Sequence, residues 1–121
     1  LNGPTKEFHE NGKVKFVGFY KDGEQDGRWI SFYPDGNQIF DDCMWVNGKQ
    51  EGVCKSYHEN GNLKGEMFYV NGLLNKDFKQ YHKNGNIELE GTMENGESVG
   101  IWKIYDESGN ILKEDYFKIN P

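Results

Sequence analysis

Residues 57–72 read YHENGNLKGEMFYVNG and residues 81–96 read YHKNGNIELEGTMENG, so the chain nearly repeats itself after 24 residues. Self-similarity at a fixed period of this length is typical of repeat proteins. Three glycine positions recur with the same period: Gly12, Gly36, Gly61, Gly85 and Gly109; Gly23, Gly48, Gly72 and Gly96; and Gly3, Gly27, Gly52 and Gly100, where Lys76 takes one glycine's place. The sequence therefore predicts an array of repeats with a period of 24 residues. One additional residue lies between Gly36 and Gly48.

Large side chains recur at three further positions once the glycines are aligned. They are Phe8, Phe32, Tyr57, Tyr81 and Tyr105; Tyr20, Trp45, Tyr69, Met93 and Phe117; and Thr5, Trp29, Cys54, Phe78 and Trp102. Each period thus contains short runs of aromatic and β-branched residues between turn signals, which is typical of antiparallel hairpins. We predict an all-β fold, an elongated single-layer antiparallel sheet of sequential β-hairpin repeats that forms a solenoid of about nine or ten strands.

Two turns per period join these strands. One contains Asn-Gly or Asp-Gly, as at residues 59–61, and supplies the positive φ angles that tight hairpins need. We expect the other to be a longer loop, as at residues 47–52. If that loop closes symmetrically, Tyr20 faces Trp29 and Trp45 faces Cys54, which would give one ladder of rings on the sheet. At Lys76 the backbone must avoid the left-handed region or accept strain.

The composition limits the classes of partner. The chain has 14 Lys and Arg and 20 Asp and Glu residues, so its formal net charge is -6. Nucleic-acid grooves and anionic lipid surfaces both depend on positive charge, so we predict no nucleic-acid partner and do not expect membrane contact. The apolar runs are too short for a transmembrane segment. A signal peptide would lie outside this segment, and the cellular compartment stays open.

The motifs NGESVGIW at residues 95–102 and DGEQDGRW at residues 22–29 resemble the membrane occupation and recognition nexus (MORN) repeat. The unit is similar to the variant form of that repeat, which adds a Y-x-x-N-G turn as at residues 57–61. The resemblance covers essentially the whole chain. It predicts a single domain over residues 1–121, with partial units at 1–11 and 109–121 and repeats at about 12–35, 36–60, 61–84 and 85–108.

This resemblance implies a non-catalytic protein-interaction or scaffold module. Similar proteins include many bacterial ones, some labelled as antitoxin components, so an antitoxin-like role is one form of the hypothesis. The alternatives are a binder of small ligands or carbohydrates that uses the aromatic ladder, and a membrane-associated recognition module. The sequence has no phosphate-binding glycine loop and no nucleophile elbow, so we predict no enzymatic activity and no cofactor.

The histidines and cysteines are the residues of this sequence best suited to a metal or catalytic site. His9, His58 and His82 occupy one position of the repeat, and equivalent positions two strands apart are ~10 Å distant, too far to share a zinc ion. We therefore interpret them as turn-surface residues and predict no metal site. Cys54 takes the place of a ring and is interpreted as a small buried hydrophobe. Cys43 lies diagonally from it in the assumed register, a geometry that disfavours a disulfide, although the sequence leaves the bonding of this pair open.

Two surface features are the candidate binding sites. The first is an acidic stripe formed by Glu66, Glu90 and Glu114, which could meet a basic partner, although solvated or lysine-paired strand residues are the simpler interpretation. The second is an apolar face formed by Phe19, Met44, Phe68 and Tyr116, which alternate with the aromatic ladder. A single-layer sheet buries only one face, so the other is available for a protein partner. Self-association through the terminal sheet edges is the rival use of this architecture.

Overall fold

The computed structural model describes residues 1–117, which form eleven β-strands and no helix. Their bounds are β1 Gly3–Phe8, β2 Val14–Lys21, β3 Glu24–Gln25, β4 Gly27–Phe32, β5 Ile39–Val46, β6 Lys49–Tyr57, β7 Leu63–Val70, β8 Leu73–Tyr81, β9 Ile87–Glu94, β10 Glu97–Tyr105 and β11 Ile111–Phe117. The last four residues of the predicted partial unit 109–121 lie outside the described residues. Within residues 1–117 no helical segment has the length and hydrophobicity that a membrane crossing requires.

All the strands belong to one open antiparallel sheet. Its order is β1-β2-β4-β5-β6-β7-β8-β9-β10-β11, so strands that are consecutive in the chain are neighbours in the sheet, and the two-residue β3 pairs with β2. Within residues 1–117, extensive contacts between strands occur only between these hydrogen-bonded neighbours. The prediction of an all-β, single-layer sheet of sequential hairpins is confirmed.

The assignment of the two turns was wrong, because the tight turns are those of the second glycine series. Both central residues of each have positive φ, for example 48° at Asn47 and 80° at Gly48, which is the type I′ geometry that matches strand twist. The turns of the first series instead lie in loops of five residues, or of six at residues 33–38. In the loop after β6, the amide of Gly61 donates to the carbonyl of His58 at 2.9 Å.

The strand register assumed from the sequence is also wrong, because each hairpin has a tight turn followed by a bulge. Trp45 pairs with Gln50 next to the turn, and two strand positions further on Cys43 pairs with Cys54, because β6 has two additional residues between these pairs. Tyr20 likewise pairs with Gln25 rather than with Trp29. The third glycine series supplies the positive φ at this bulge, and Lys76 adopts it with a φ of 62°. Lys76 therefore accepts the left-handed conformation.

The core lies on one side of the sheet, which we call the core face. Its buried residues include Trp29, Cys43, Cys54 and Trp102. Neighbouring positions on this face have complementary sizes: the Trp29 ring lies over Gly18, the Trp102 ring lies over Gly91, and the two cysteines are paired with each other. Tyr20 packs edge-on against Trp29, with ring centroids 5.1 Å apart. A single layer can fill its core face in this way without a second layer.

Gly18 and Gly91 belong to none of the three glycine series, and neither has positive φ. A Cβ atom on Gly18 would lie 2.2 Å from the Trp29 ring, and one on Gly91 would lie 2.0 Å from the Trp102 ring. Such distances are well inside van der Waals contact, so these two glycines are required by packing rather than by turn geometry.

Gly18→Ala and Gly91→Ala should each lower the free energy of unfolding by about 1–3 kcal/mol, because the new methyl group displaces a tryptophan ring. Gly65→Ala is the matched control: Gly65 also lies in a strand without positive φ, but its nearest obstacle is the Ser56 hydroxyl at 3.1 Å. Chemical denaturation followed by circular dichroism measures the three losses. Equal losses at all three positions would contradict the packing role of the tryptophans.

Candidate interaction surface

The four residues predicted to form an apolar face all lie on the side of the sheet opposite the core face, which we call the outer face, on β2, β5, β7 and β11. They are strand neighbours of core residues, and their cross-strand partners are Pro4 for Phe19, Arg28 for Met44, Val53 for Phe68 and Ile101 for Tyr116. We call Phe19, Met44, Phe68 and Tyr116 the apolar row. Its members therefore occupy equivalent positions across the width of the sheet.

Most of the apolar row is open to solvent. Tyr116 is 71% exposed, Phe19 43% and Met44 42%. Phe68 is half-buried, and the Lys76 ammonium lies over its ring at 4.6 Å from the centroid. Sequence reasoning missed Val53 and Ile101, which are exposed at 46% and 55% and pair directly with members of the row. Only the strand register could have revealed that they extend the same patch.

The three glutamates of the predicted acidic stripe are interleaved with lysines. Glu66 pairs with Lys55 and Lys79, Glu90 with Lys79 and Lys103, and Glu114 with Lys103. The result is a charged row of alternating sign across β6 to β11, formed by Lys55, Glu66, Lys79, Glu90, Lys103 and Glu114. A continuous acidic surface is therefore not present here, and a purely basic partner is not what this row would select.

The apolar row and the charged row share the outer face. Glu66 precedes Phe68 by two residues on β7, and Glu114 precedes Tyr116 by two on β11, so each pair points to the same side of its strand. Further along the sheet the Arg28 guanidinium donates two hydrogen bonds to Asp42, at 2.9 and 2.6 Å. The pKa of the Arg28 guanidinium is raised by this hydrogen bonding and by the Asp42 charge.

Tyr105 borders the charged row. Desolvation raises the pKa of its hydroxyl, and a hydrogen bond to Glu90 together with the nearby charges of Glu90 and Glu114 raises it further. The hydroxyl therefore stays protonated at neutral pH and can donate to a carboxylate.

The histidines connect one repeat to the next. Nε2 of His58 lies 2.8 Å from the Tyr81 carbonyl oxygen, Nε2 of His82 lies 2.8 Å from that of Tyr105, and Nε2 of His9 lies 3.1 Å from that of Phe32. A carbonyl oxygen only accepts, so each ring must carry a proton on Nε2. The three side chains are half-buried structural donors rather than surface residues, which corrects the turn-surface interpretation.

Tyr33 occupies the same position in the first full repeat, and its hydroxyl donates to the Tyr57 carbonyl at 2.6 Å. Loop asparagines form a parallel set of bonds: Asn60 donates to the carbonyl of Lys83 at 2.9 Å and Asn84 to that of Glu107 at 2.8 Å. Successive loops are therefore joined by side chains that reach a backbone carbonyl in the following repeat. Among residues 1–117 no group of three or more His, Cys, Asp or Glu side chains could hold a metal ion.

Cys43 and Cys54 form a disulfide bond, contrary to the expectation from the assumed register. They are direct cross-strand partners on β5 and β6, and their Cα atoms are 4.2 Å apart. Closely set pairs of this kind occur where opposing residues exchange no backbone hydrogen bonds. The bulge that shifts the register by two residues is what brings the sulfur atoms together.

The family model described as "MORN repeat variant" matches residues 1–22, 50–71, 74–95 and 98–118. The last three matches begin 24 residues apart, in agreement with the period of the glycine series. The interval between the first two matches contains the additional residue and the disulfide-bonded Cys43, yet it forms the same hairpins as the rest of the sheet. No curated protein matches the chain significantly.

Tyr33→Phe should lower the free energy of unfolding by about 0.5–1.5 kcal/mol, because it removes one bond between repeats and retains the ring. Burial and the Glu59 charge raise the pKa of the Tyr33 hydroxyl above its usual 10.0. The folded state therefore holds this proton more tightly than the unfolded state, and its contribution is lost as the pH rises above about 10. Denaturation at neutral and alkaline pH should show a smaller alkaline loss in Tyr33→Phe. An identical loss would contradict this assignment.

Reduction of the disulfide should lower the free energy of unfolding by about 2–3 kcal/mol, because the bond closes a short loop in the unfolded chain. Denaturation with and without a phosphine reductant measures the change, and thiol titration of the untreated protein should find no free thiol. Cys43→Ala with Cys54→Ala is the control, since its stability should not respond to the reductant. Two titratable thiols in protein purified without reductant would show that the bond is absent.

Proposed function

The chain belongs to the MORN repeat variant family, and we propose that it is a non-catalytic protein-interaction or scaffold module that binds a protein partner across its outer face. Repeats of this family are generally modules for protein or membrane interaction. The observation that carries the proposal is the apolar row, which fills four of five equivalent positions, with Thr92 at the fifth, and has no covering layer within residues 1–117. Large apolar side chains left exposed at a repeated position of one face are candidates for an interface.

The charged row favours a protein over the other partners. Its alternating signs offer both donors and acceptors beside an apolar strip, which is the composition of a protein interface with an apolar centre and a polar rim. An anionic lipid surface would instead be repelled by the excess of Asp and Glu that gives the net charge of -6. A membrane-associated role is therefore the weaker form of the interaction hypothesis.

The non-catalytic part of the proposal is supported by the engagement of the residues most often used in catalysis. The three histidines are close to backbone carbonyls and the two cysteines are bonded to each other. Each of these groups therefore takes part in a structural contact, which makes it less available for catalysis. The antitoxin-like form of the hypothesis rests on the resemblance alone, and it would require that the partner be a toxic protein.

Phe19→Ser, Met44→Ser and Tyr116→Ser in one variant should weaken partner binding by about tenfold or more, because exposed apolar anchors supply much of the energy of an interface. Partner proteins are first captured from an extract of the source cells with the wild-type chain and identified by mass spectrometry. Affinities are then measured by calorimetry with the purified partner. Circular dichroism checks that the strand content is unchanged.

A comparison variant replaces Val46, Val70 and Leu73 with serine; these residues are similarly exposed on the outer face but lie at its margin, beside the tight turns. It should lose less affinity than the apolar-row variant, because the partner is centred on the row. Equal affinity of the apolar-row variant would disprove the assignment of the outer face. Sedimentation velocity tests the rival, self-association through β1 and β11, each of which has one neighbour in the sheet of residues 1–117. Flotation with anionic liposomes tests the membrane alternative.

A further inference from the structure

A groove of about 340 Å³ lies on the core face over the first two repeats. Aromatic rings dominate its lining, and they come from Phe16, Tyr20, Trp29 and Trp45. Phe16 and Trp29 have ring centroids 5.6 Å apart, so the rings on β2 and β4 form a continuous wall. This volume is within the range of sites for small molecules.

Cys43 explains why the groove is in this part of the sheet. It lies between Trp29 and Cys54 in the cross-strand row and lines the groove. A disulfide fills much less volume than the Trp and Phe rings that hold the position of Cys54 in other repeats. The rings beside it consequently border open space instead of another large side chain.

Asp41 supplies the only charge in the lining of the groove. The Ser31 hydroxyl donates to its Oδ1 atom, which orients the carboxylate. Within residues 1–117 its Oδ2 atom forms no hydrogen bond or ion pair. The corresponding residues of the next three repeats are Gly65, Leu89 and Lys113, so the sheet itself does not require a carboxylate at this position.

From this geometry we propose that the groove binds an organic cation of the alkylammonium class. The faces of aromatic rings attract cations through their quadrupole, and tryptophan does so most strongly. The Asp41 carboxylate would supply the balancing negative charge, and Gln25 and Gln50 offer amide groups at the lining for a polar substituent. The negative net charge of the chain also favours the approach of a cation. This site lies on the opposite side of the sheet from the apolar row and is independent of the proposed function.

Tetramethylammonium and choline are the probes, and the readout is the indole Nε1–H signals of the three tryptophans in a two-dimensional NMR titration. The signals of Trp29 and Trp45 should shift and saturate. Trp102 should not shift, because it lies in a distant repeat and is an internal control. The neutral isostere of choline, 3,3-dimethylbutan-1-ol, should bind much more weakly, since it has the same shape and no charge.

Asp41→Asn should weaken choline binding by about five- to tenfold, and Trp45→Leu should weaken it to a similar extent. Asp115→Asn is the matched control: it removes an acid from the same face, opposite Trp102, and should leave the affinity unchanged. Unshifted Trp29 and Trp45 signals would overturn the proposal. It would also be overturned by equal binding of the neutral isostere, or by a neutral sugar that binds Asp41→Asn as well as it binds the wild type.

Discussion

Tryptophan rings that lie over glycines allow this chain to fold as a single layer. A sheet without a second layer has no opposing surface to fill its core face, so neighbouring strands must complement each other in volume. Gly18 and Gly91 leave room for Trp29 and Trp102, and the Cys43–Cys54 disulfide occupies the equivalent pair of positions on β5 and β6. The core is therefore built from local cross-strand pairs, which is why consecutive strands can be added one after another without a distant contact.

Hydrogen bonds at the turns and loops on both edges of the array hold successive hairpins in line. On one edge of the array each tight turn donates a backbone bond to the preceding hairpin, as Gly72 does to the Gln50 carbonyl at 2.9 Å. On the other edge a histidine or tyrosine from each of the first four loops reaches a backbone carbonyl of the following repeat, as Tyr33 does at Tyr57. Hydrogen bonds to backbone carbonyls do not depend on the identity of the side chain in the next repeat. The stacking can thus tolerate variation along the array.

The division between the two faces has consequences for binding. Strand pleating places the core residues on one side and leaves every alternate side chain on the other, where apolar and charged rows lie next to each other. The outer face is regular and spans many strands, which suits an extended protein partner. The groove on the core face depends on Cys43 and Asp41, which occur once, and it suits one small ligand.

The sequence by itself determined the period, the all-β class and the order of the hairpins, and it predicted that Phe19, Met44, Phe68 and Tyr116 share a face, because strand alternation and turn chemistry are local properties. It also showed that His9, His58 and His82 are equivalent. It could not determine which turn is tight, since both contain Asn-Gly, and the register depended on that choice. The tertiary structure decided that Cys43 faces Cys54, that Gly18 makes room for a tryptophan and that Lys79 lies between Glu66 and Glu90. These are relations between strands, and a bulge of two residues changes them without altering the pattern along any one strand.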